Sequence, residues 1–484
     1  MGKGNTLKLI QISPIIVALL CSVSCSGISQ SNAGHSFAEH LNLNKKETIS
    51  GRFKVPENHN DPKGEQIDLA YVIMKSRTAL GNDYPLIYLT GGPGGKTLTK
   101  GVVEKFTNST FRDNRDIILF DQRGVGFSSP LPNMNKEIFE IMSSNLTVDE
   151  EYNEMSKLLV TTKQEIESSG RILSSYNTFQ NAKDVGFLMN ELGYKKYNIM
   201  GGSYGTTLGR VIQDLFPEKL NSVIHNAPSP LKMDFLVSRL HSYQIALERL
   251  FLWCGEDSNC SSDYPELKST YVNAIKNLKE HPIVVNMGAN TFTINAQDGL
   301  YLIRRLLYVT NSKQLIPRVI NALKTKDANL LKRLIQLEKR YNEKMNFSMH
   351  LAVSSYEQIE SYASKSYIDS TYISLDLFPT RLGFFEAFYQ SGKDWQEQKI
   401  SDNDKLFKPS NVPTLITVNY YDPVTPPENG YLYKKDLSNA ELLVLNEGGH
   451  GGVSNPECRD KVFKAFMDNP EVILDTSCLN LYIN

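Results

Sequence analysis

Residues 198–209, NIMGGSYGTTLG, set Ser203 among Gly201, Gly202 and Gly205. With glycine near ~7% of an average chain, a G-x-S-x-G pentapeptide arises by chance in roughly one chain of this length in six, so the pattern alone decides little. Its neighbours decide more. Upstream, NAKDVGFLMNELG places Val185, Leu188, Met189 and Leu192 at helical spacing and stops at Gly193, a residue suited to the left-handed position that ends a helix. The short apolar run KKYNIM leads straight into Gly201. Beyond the serine, TTLGRVIQDLFPEKL puts Leu208, Val211, Ile212, Leu215 and Phe216 on one helical face before Pro217 breaks it. The predicted order is helix, strand, Ser203, helix, in which a serine hydroxyl is thrust forward on a sharp turn. Glycines at 201, 202 and 205 are expected to let strand and helix approach each other.

An earlier apolar strand and Gly-rich loop, YPLIYLTGGPGGKTL, admits two chemistries. Gly95, Lys96 and Thr97, with the strand-like DIILFD at 116–121, imitate a phosphate-binding loop and its magnesium aspartate. That pattern needs glycine where Thr90 stands, and Pro93 withholds a backbone N–H from a loop that would have to present them. The other chemistry is a loop whose N–H groups face a developing oxyanion, each donor worth about 3 kcal/mol of barrier. Gly92 is the expected donor, Gly91 the near alternative, and the N–H of Tyr204, the residue after the serine, is the second donor.

A serine hydroxyl needs a base, and the base needs an acid to orient it. Five of the eight histidines follow Ser203, and His450 alone follows the last good acid loop. It sits in LNEGGHGGVS, behind the apolar run AELLVL, with glycines on both sides. The acid is read from VPTLITVNYYDPVTPPENG, a strand over 414–419 leading to Asp422 in a Pro-rich loop; Asp436 in KKDLSN competes from the end of a surface helix. Serine, acid and histidine then follow in the order Ser203, Asp422, His450.

The chain has 484 residues and a formal net charge of −1, with no basic tract to hold nucleic acid. No C-x-x-C or H-E-x-x-H is present, so neither a metal nor a cofactor is expected. Residues 1–25 read as an export signal: Lys3 and Lys8, the apolar LIQISPIIVALL, then small residues in CSVSCSG, where Cys25 is a candidate lipidation site. Residues 26–46 read as a flexible tether. Such a leader makes the protein exported: periplasmic, a membrane-anchored lipoprotein, or extracellular, touching a membrane only through that lipid. Cys254, Cys260, Cys458 and Cys478 then remain, an even number that suggests two disulfides in one of three connectivities; the local pairs 254 with 260 and 458 with 478 are preferred.

These motifs resemble the prolyl and tripeptidyl aminopeptidase branch of the α/β hydrolases from about Gly51 onward. GRFKVPENHNDPKGEQIDLAYVI is similar to its opening strands, LTGGPGG to its oxyanion loop, DQRGVGFSS to its next strand end, GGSYGTTLG to its elbow, YYDPVTPP to its acid loop and GGHGG to its histidine loop. Asp121 and Arg123 in DQRG are expected to brace loops. The resemblance implies an α/β-hydrolase fold, a mostly parallel central sheet flanked by helices, formed by residues 47–230 and 405–484. Between them, the helical spacing of DFLVSRLHSYQIALERLFLWC and IPRVINALKTKDANLLKRLIQLE marks 231–404 as an inserted helical cap. WCGEDSNC resembles a local disulfide loop of the branch. MHLAVSSYEQIE resembles a cap segment whose glutamate binds the substrate's amine, which Glu357 matches; Glu360 and Asp394 are fallbacks. Ser355 stands where many relatives have cysteine, and GFFEAFYQSGKDW lacks its partner. The implied activity is a serine aminopeptidase acting on short peptides through an acyl-enzyme, of prolyl or tripeptidyl type, with a small-ester or general hydrolase as the alternative.

Overall fold

Alternation of apolar side chains builds the centre of the molecule. In the computed structural model, which describes residues 33–78, 84–359 and 364–482, the strands are β1 (Thr48–Pro56), β2 (Gln66–Met74), β3 (Leu86–Leu89), β4 (Ile117–Phe120), β5 (Tyr197–Gly202), β6 (Leu220–Asn226), β7 (Ile283–Asn286), β8 (Thr291–Ile294), β9 (Thr414–Asn419) and β10 (Ala440–Leu445). Eight of them form one sheet in the order β1-β2-β4-β3-β5-β6-β9-β10. β1 and β2 pair antiparallel, as do β2 and β4, and every later pairing is parallel. The strands read from sequence at 414–419 and 440–445 occupy those residues.

Successive side chains point to opposite faces of a strand, and both faces here are covered. Val72, Leu86, Ile117 and Leu119 join one core with Val103 and Phe106 of the helix Lys100–Thr107 and Val462 and Phe466 of the helix Pro456–Asp468. Ile73, Ile87, Ile118 and Phe120 join the other with Val185 and Leu188 of the helix Thr178–Glu191 and Val211 and Ile212 of the helix Tyr204–Leu215. Burial on both faces explains why these strands read as continuous apolar runs. β5, preceding Ser203, lies between β3 and β6 near the middle of the sheet.

Between β6 and β9 the elements of the described residues are helices apart from the antiparallel hairpin β7–β8. The helices on this side of the sheet pack with others from outside 231–404. Helices Asn135–Ser143 and Val148–Ser168 lie before β5, yet their Ile138, Met142, Met155 and Leu159 belong to the same apolar cluster as Leu240, Leu247, Ile303 and Phe388. Gly383 packs so closely on them that a Cβ there would stand 2.5 Å from the Val148 carbonyl oxygen. That apolar cluster therefore draws on two separated pieces of chain. The stretch of helical spacing over 316–338 forms two helices, Ile316–Thr325 and Ala328–Asn342, separated at Lys326 with φ 59°.

The stretch expected to tether the N-terminus holds, from Ala33 on, the helix Ala33–His40, and Phe37 and Leu41 are buried in the core beside β2. The export signal and Cys25 lie outside the described residues. Both local disulfides are present, Cys254–Cys260 and Cys458–Cys478, the first joining consecutive cap helices and the second tying the helix Pro456–Asp468 to the C-terminal segment. Where the resemblance led to a cysteine at 355, the Ser355 hydroxyl accepts the Gln396 N–H at 3.1 Å and a bond from Lys399 Nζ at 3.0 Å. No helix among the described residues is long and apolar enough to cross a membrane.

Candidate active site

Ser203 sits at the C-terminal end of β5 with φ 54° and ψ −127°, as the cap of the helix Tyr204–Leu215. A non-glycine residue at positive φ is strained, and the fold pays about 1–3 kcal/mol to hold it. Close packing enforces the turn. A Cβ on Gly205 would stand 2.0 Å from the Leu89 carbonyl oxygen, and one on Gly201 would stand 2.3 Å from the Gly205 carbonyl oxygen. Gly202 differs from the expectation: its missing side chain would meet only open space, because it faces the cavity rather than the helix.

Asp422 follows β9 and is fully buried. Its Oδ1 accepts the N–H groups of Val424 and Thr425 at 2.8 and 3.0 Å. Its Oδ2 accepts the Thr425 hydroxyl and His450 Nδ1, each at 2.8 Å. Burial opposes the charged form, but the His450 charge and hydrogen bond, with the backbone donors, outweigh it and hold the carboxyl below its ordinary range. Asp436 caps the helix Pro427–Lys435 at its C-terminal end, as expected of the competitor.

The histidine loop is fixed from two sides. Asn419 Nδ2 donates to the carbonyls of Gly449 and Gly452, and Asn226 Nδ2 to that of Gly451. On the cap side His450 N–H donates to the Tyr308 carbonyl at 3.0 Å. The glycines have specific reasons: Gly449 and Gly451 have φ of 96° and 68°, and a Cβ on Gly452 would collide with the Thr310 hydroxyl.

Across the cavity lies the loop after β3. Gly91 abuts the serine, since a Cβ there would stand 2.8 Å from Ser203 Cβ, while Gly92 has φ 128°. Asp121, fully buried, accepts N–H bonds from Thr97, Leu98 and Phe127, and Gln122 donates to the Thr90 carbonyl. Arg123 forks onto Asp184 at 2.8 and 2.6 Å and reaches the Ser175 carbonyl, tying the end of β4 to the helix Thr178–Glu191. The cap clasps the same loop: Asn346 N–H donates to the Gly94 carbonyl, Lys96 N–H to that of Lys344, and His350 Nδ1 to that of Pro93. Lys96 Nζ donates to the Glu343 carbonyl at 2.9 Å, so the lysine of the phosphate-loop imitation is turned to the cap.

Ser203, His450, Gly91 and Gly92 line one cavity of about 430 Å³, a volume usual for a small-ligand site. Its roof is cap: Phe235, Tyr301, Tyr308, Phe347 and Phe384, with the guanidinium groups of Arg239 and Arg304. Motif reading missed those two arginines. A signal was present, for Arg304 and Arg305 stand in LYLIRRLLYV, within a helix, Ala296–Leu307, whose every residue is buried.

Glu357 is 2% exposed and is not among the residues lining this cavity. Its two oxygens accept the N–H and hydroxyl of Thr178, at 2.7 and 2.8 Å, at the start of the helix Thr178–Glu191. The Tyr204 hydroxyl bonds Thr178 Oγ1 in turn at 2.9 Å. Burial, only partly offset by the Thr178 bonds, pushes the Glu357 carboxyl up to about 7. Its visible work is to join the cap to the residue after Ser203. Glu360 lies outside the described residues, and the Asp394 carbonyl accepts a bond from Lys163 at the cap surface. Among the described residues, no group of three or more potential ligands could hold a metal.

A family model described as alpha/beta hydrolase fold matches residues 84–454. The chain is 22% identical over 428 residues to a putative hydrolase, YuaR, of Escherichia coli K12, covering 84% of this chain and 82% of that one. It is 22% identical over 456 residues to the serine protease Hip1 of Mycobacterium bovis, covering 87% and 85%. A tripeptidyl aminopeptidase of Streptomyces coelicolor is 31% identical over 186 residues, 36% of this chain and 34% of that protein.

Proposed function

The chain belongs to the alpha/beta hydrolase fold family, and from that membership and the geometry of its cavity we propose that it is a serine peptidase of aminopeptidase type. The observation that carries this is the Asp422–His450 hydrogen bond beside a cavity whose wall includes Ser203 on a strained turn. Ser203 Oγ attacks the scissile carbonyl. His450 takes the proton through Nε2 and delivers it to the leaving amine, while Asp422 fixes the tautomer and balances the imidazolium. The developing oxyanion is met by the Tyr204 N–H, in a helix's first turn where N–H groups lack intrahelical partners, and by the N–H of Gly92 or of Gly91. Water then releases the acyl group. The cap roof admits short peptides rather than folded chains. Export is part of the same reading, supported by the two disulfides, which persist in oxidising compartments, and by the leader, with Cys25 as its lipid site.

A second reading, a hydrolase of small esters or amides, is favoured by one feature. Among the described residues the cavity's single carboxylate is Asp460, ion-paired to Arg459 at 2.6 Å, so no unpaired acid waits there for an ammonium. Paired fluorogenic peptides, free-amine against N-acetylated, separate the two readings when assayed with wild type and Ser203→Ala. Cleavage of the free-amine peptides alone, abolished in the variant, is the expected result. Equal cleavage of acetylated peptides or simple esters removes the aminopeptidase assignment and keeps the nucleophile.

A further inference from the structure

The cap half of the cavity is cationic in an unusual way. Arg305 is neutralised, its Nε bonded to Glu338 at 2.5 Å. Its neighbour Arg304 is 4% exposed and lines the cavity, yet among the described residues it makes no ion pair, and its buried Nε has no hydrogen-bond partner. Its guanidinium carbon lies 5.2 Å from the ring centres of both Tyr308 and Phe385. Arg239, on the helix Phe235–Glu256, enters the same cavity stacked 3.7 Å over the Phe235 ring, and its hydrogen bond goes to the Phe235 carbonyl at 2.8 Å. The one acid whose charge acts on it, Asp234, accepts the N–H groups of Leu236 and Val237 and the Tyr389 hydroxyl, and among the described residues no ion pair joins it to Arg239. Burial, and then Arg304, pull the Arg239 guanidinium down to about 10, so the two cations lie close enough to oppose each other.

A buried charge without a counter-ion is unfavourable, and protein chains ordinarily pair it. Here the fold neutralises Arg305 and leaves its neighbour, in the wall of the cavity that also holds Ser203, without an ion pair among the described residues. We propose that Arg239 and Arg304 form a clamp for a carboxylate carried by the substrate, making the enzyme selective for acidic substrates. The guanidinium fork suits a carboxylate because it gives parallel N–H···O bonds, and the surrounding rings exclude water that would weaken them. The inference rests on the serine-hydrolase reading and deepens it. The carboxylate comes either from a Glu or Asp side chain or from the C-terminus of a very short peptide.

The test measures kcat/KM on free-amine peptides in matched sets: Glu against Gln on each side of the scissile bond, and a free C-terminus against its amide. Wild type is expected to prefer the carboxylate member of at least one set by about tenfold or more, the usual worth of hydrogen bonds to a charged group. Arg304→Gln and Arg239→Gln should each collapse that ratio towards one, with Arg304→Lys retaining more of it. If a variant fails to fold by circular dichroism, the wild-type ratio decides. Ratios near one in every set, with peptides still cut, overturn the clamp and leave the peptidase reading standing. If no peptide is cut but aryl esters are, the peptidase reading falls and the same ratio is read on an aryl hemiglutarate against its amide. A ratio near one there also overturns the clamp.

Discussion

The sheet end and the cap roof meet at one cavity and are built on opposite principles. At the sheet end the groups that hold the loops are hydrogen-bonded many times over: Asp422 accepts four bonds, Asp121 accepts three backbone donors, and the histidine loop hangs on Asn226 and Asn419. In the roof, aromatic rings surround Arg239 and Arg304, whose guanidinium groups form no ion pair among the described residues. Saturated hydrogen bonding gives rigidity, which a reaction needs where charge develops. Unsatisfied charge leaves room for a ligand to complete the site, which selectivity needs.

The sharpest way to break this comparison is at the carboxylate. Asp422→Asn should keep the fold and lower kcat by on the order of 10⁴, because an amide can accept the wrong tautomer of His450; a loss below tenfold, read by single-turnover assay, would remove Asp422 from the mechanism. Because its folded pKa is depressed, the stability it contributes is fully present above the unfolded value of about 3.9 and is lost as pH falls through the folded value. Next in size is Gly205→Ala, whose Cβ would overlap the Leu89 carbonyl. Urea unfolding should show a loss of roughly 3 kcal/mol, at the upper end of overpacking costs.

Glu357 tests the seam between the two regions. Its folded pKa of about 7 lies above the unfolded value, so the folded state binds the extra proton. Stability linked to it is full below about pH 4.3 and is lost as pH rises to about 7, by up to about 4 kcal/mol. Glu357→Gln should abolish that component, seen as a smaller fall in Tm between pH 5 and pH 8 than in wild type. The smallest effect is expected at Gly202→Ala, which meets open space; its unfolding free energy should stay within about 0.5 kcal/mol of wild type, so any change in activity would report the cavity alone.

The same contrast explains what was legible in the sequence. Strand β5, the turn at Ser203 and the helix after it are local, encoded by apolar period and glycine placement, and they lie where 198–209 put them. The loops carrying Asp422 and His450 were equally legible, because strands β9 and β10 stand directly before them. The cap was legible as helices but not as a shape. Nothing in ANLLKRLIQLEKR says which face meets Phe139, and nothing local assigns the helix Val148–Ser168 to a partner more than 200 residues away at Gly383. Glu357 shows the limit of motif transfer, since side-chain direction rather than chain position decides whether a carboxylate faces a cavity or the first turn of a helix.

The bond from His450 N–H to the Tyr308 carbonyl, with the clasp of Gly94 and Lys96 by residues 344 and 346, bears on modularity. A lid can be swapped or trimmed when it merely covers a site. Here the covering half supplies struts to the base on one side and to the Gly-rich loop on the other, so the two halves act as one casting. Transplanting a foreign cap to change selectivity would therefore have to carry the 308–313 and 343–350 segments with it, or it would unseat the chemistry it was meant to redirect.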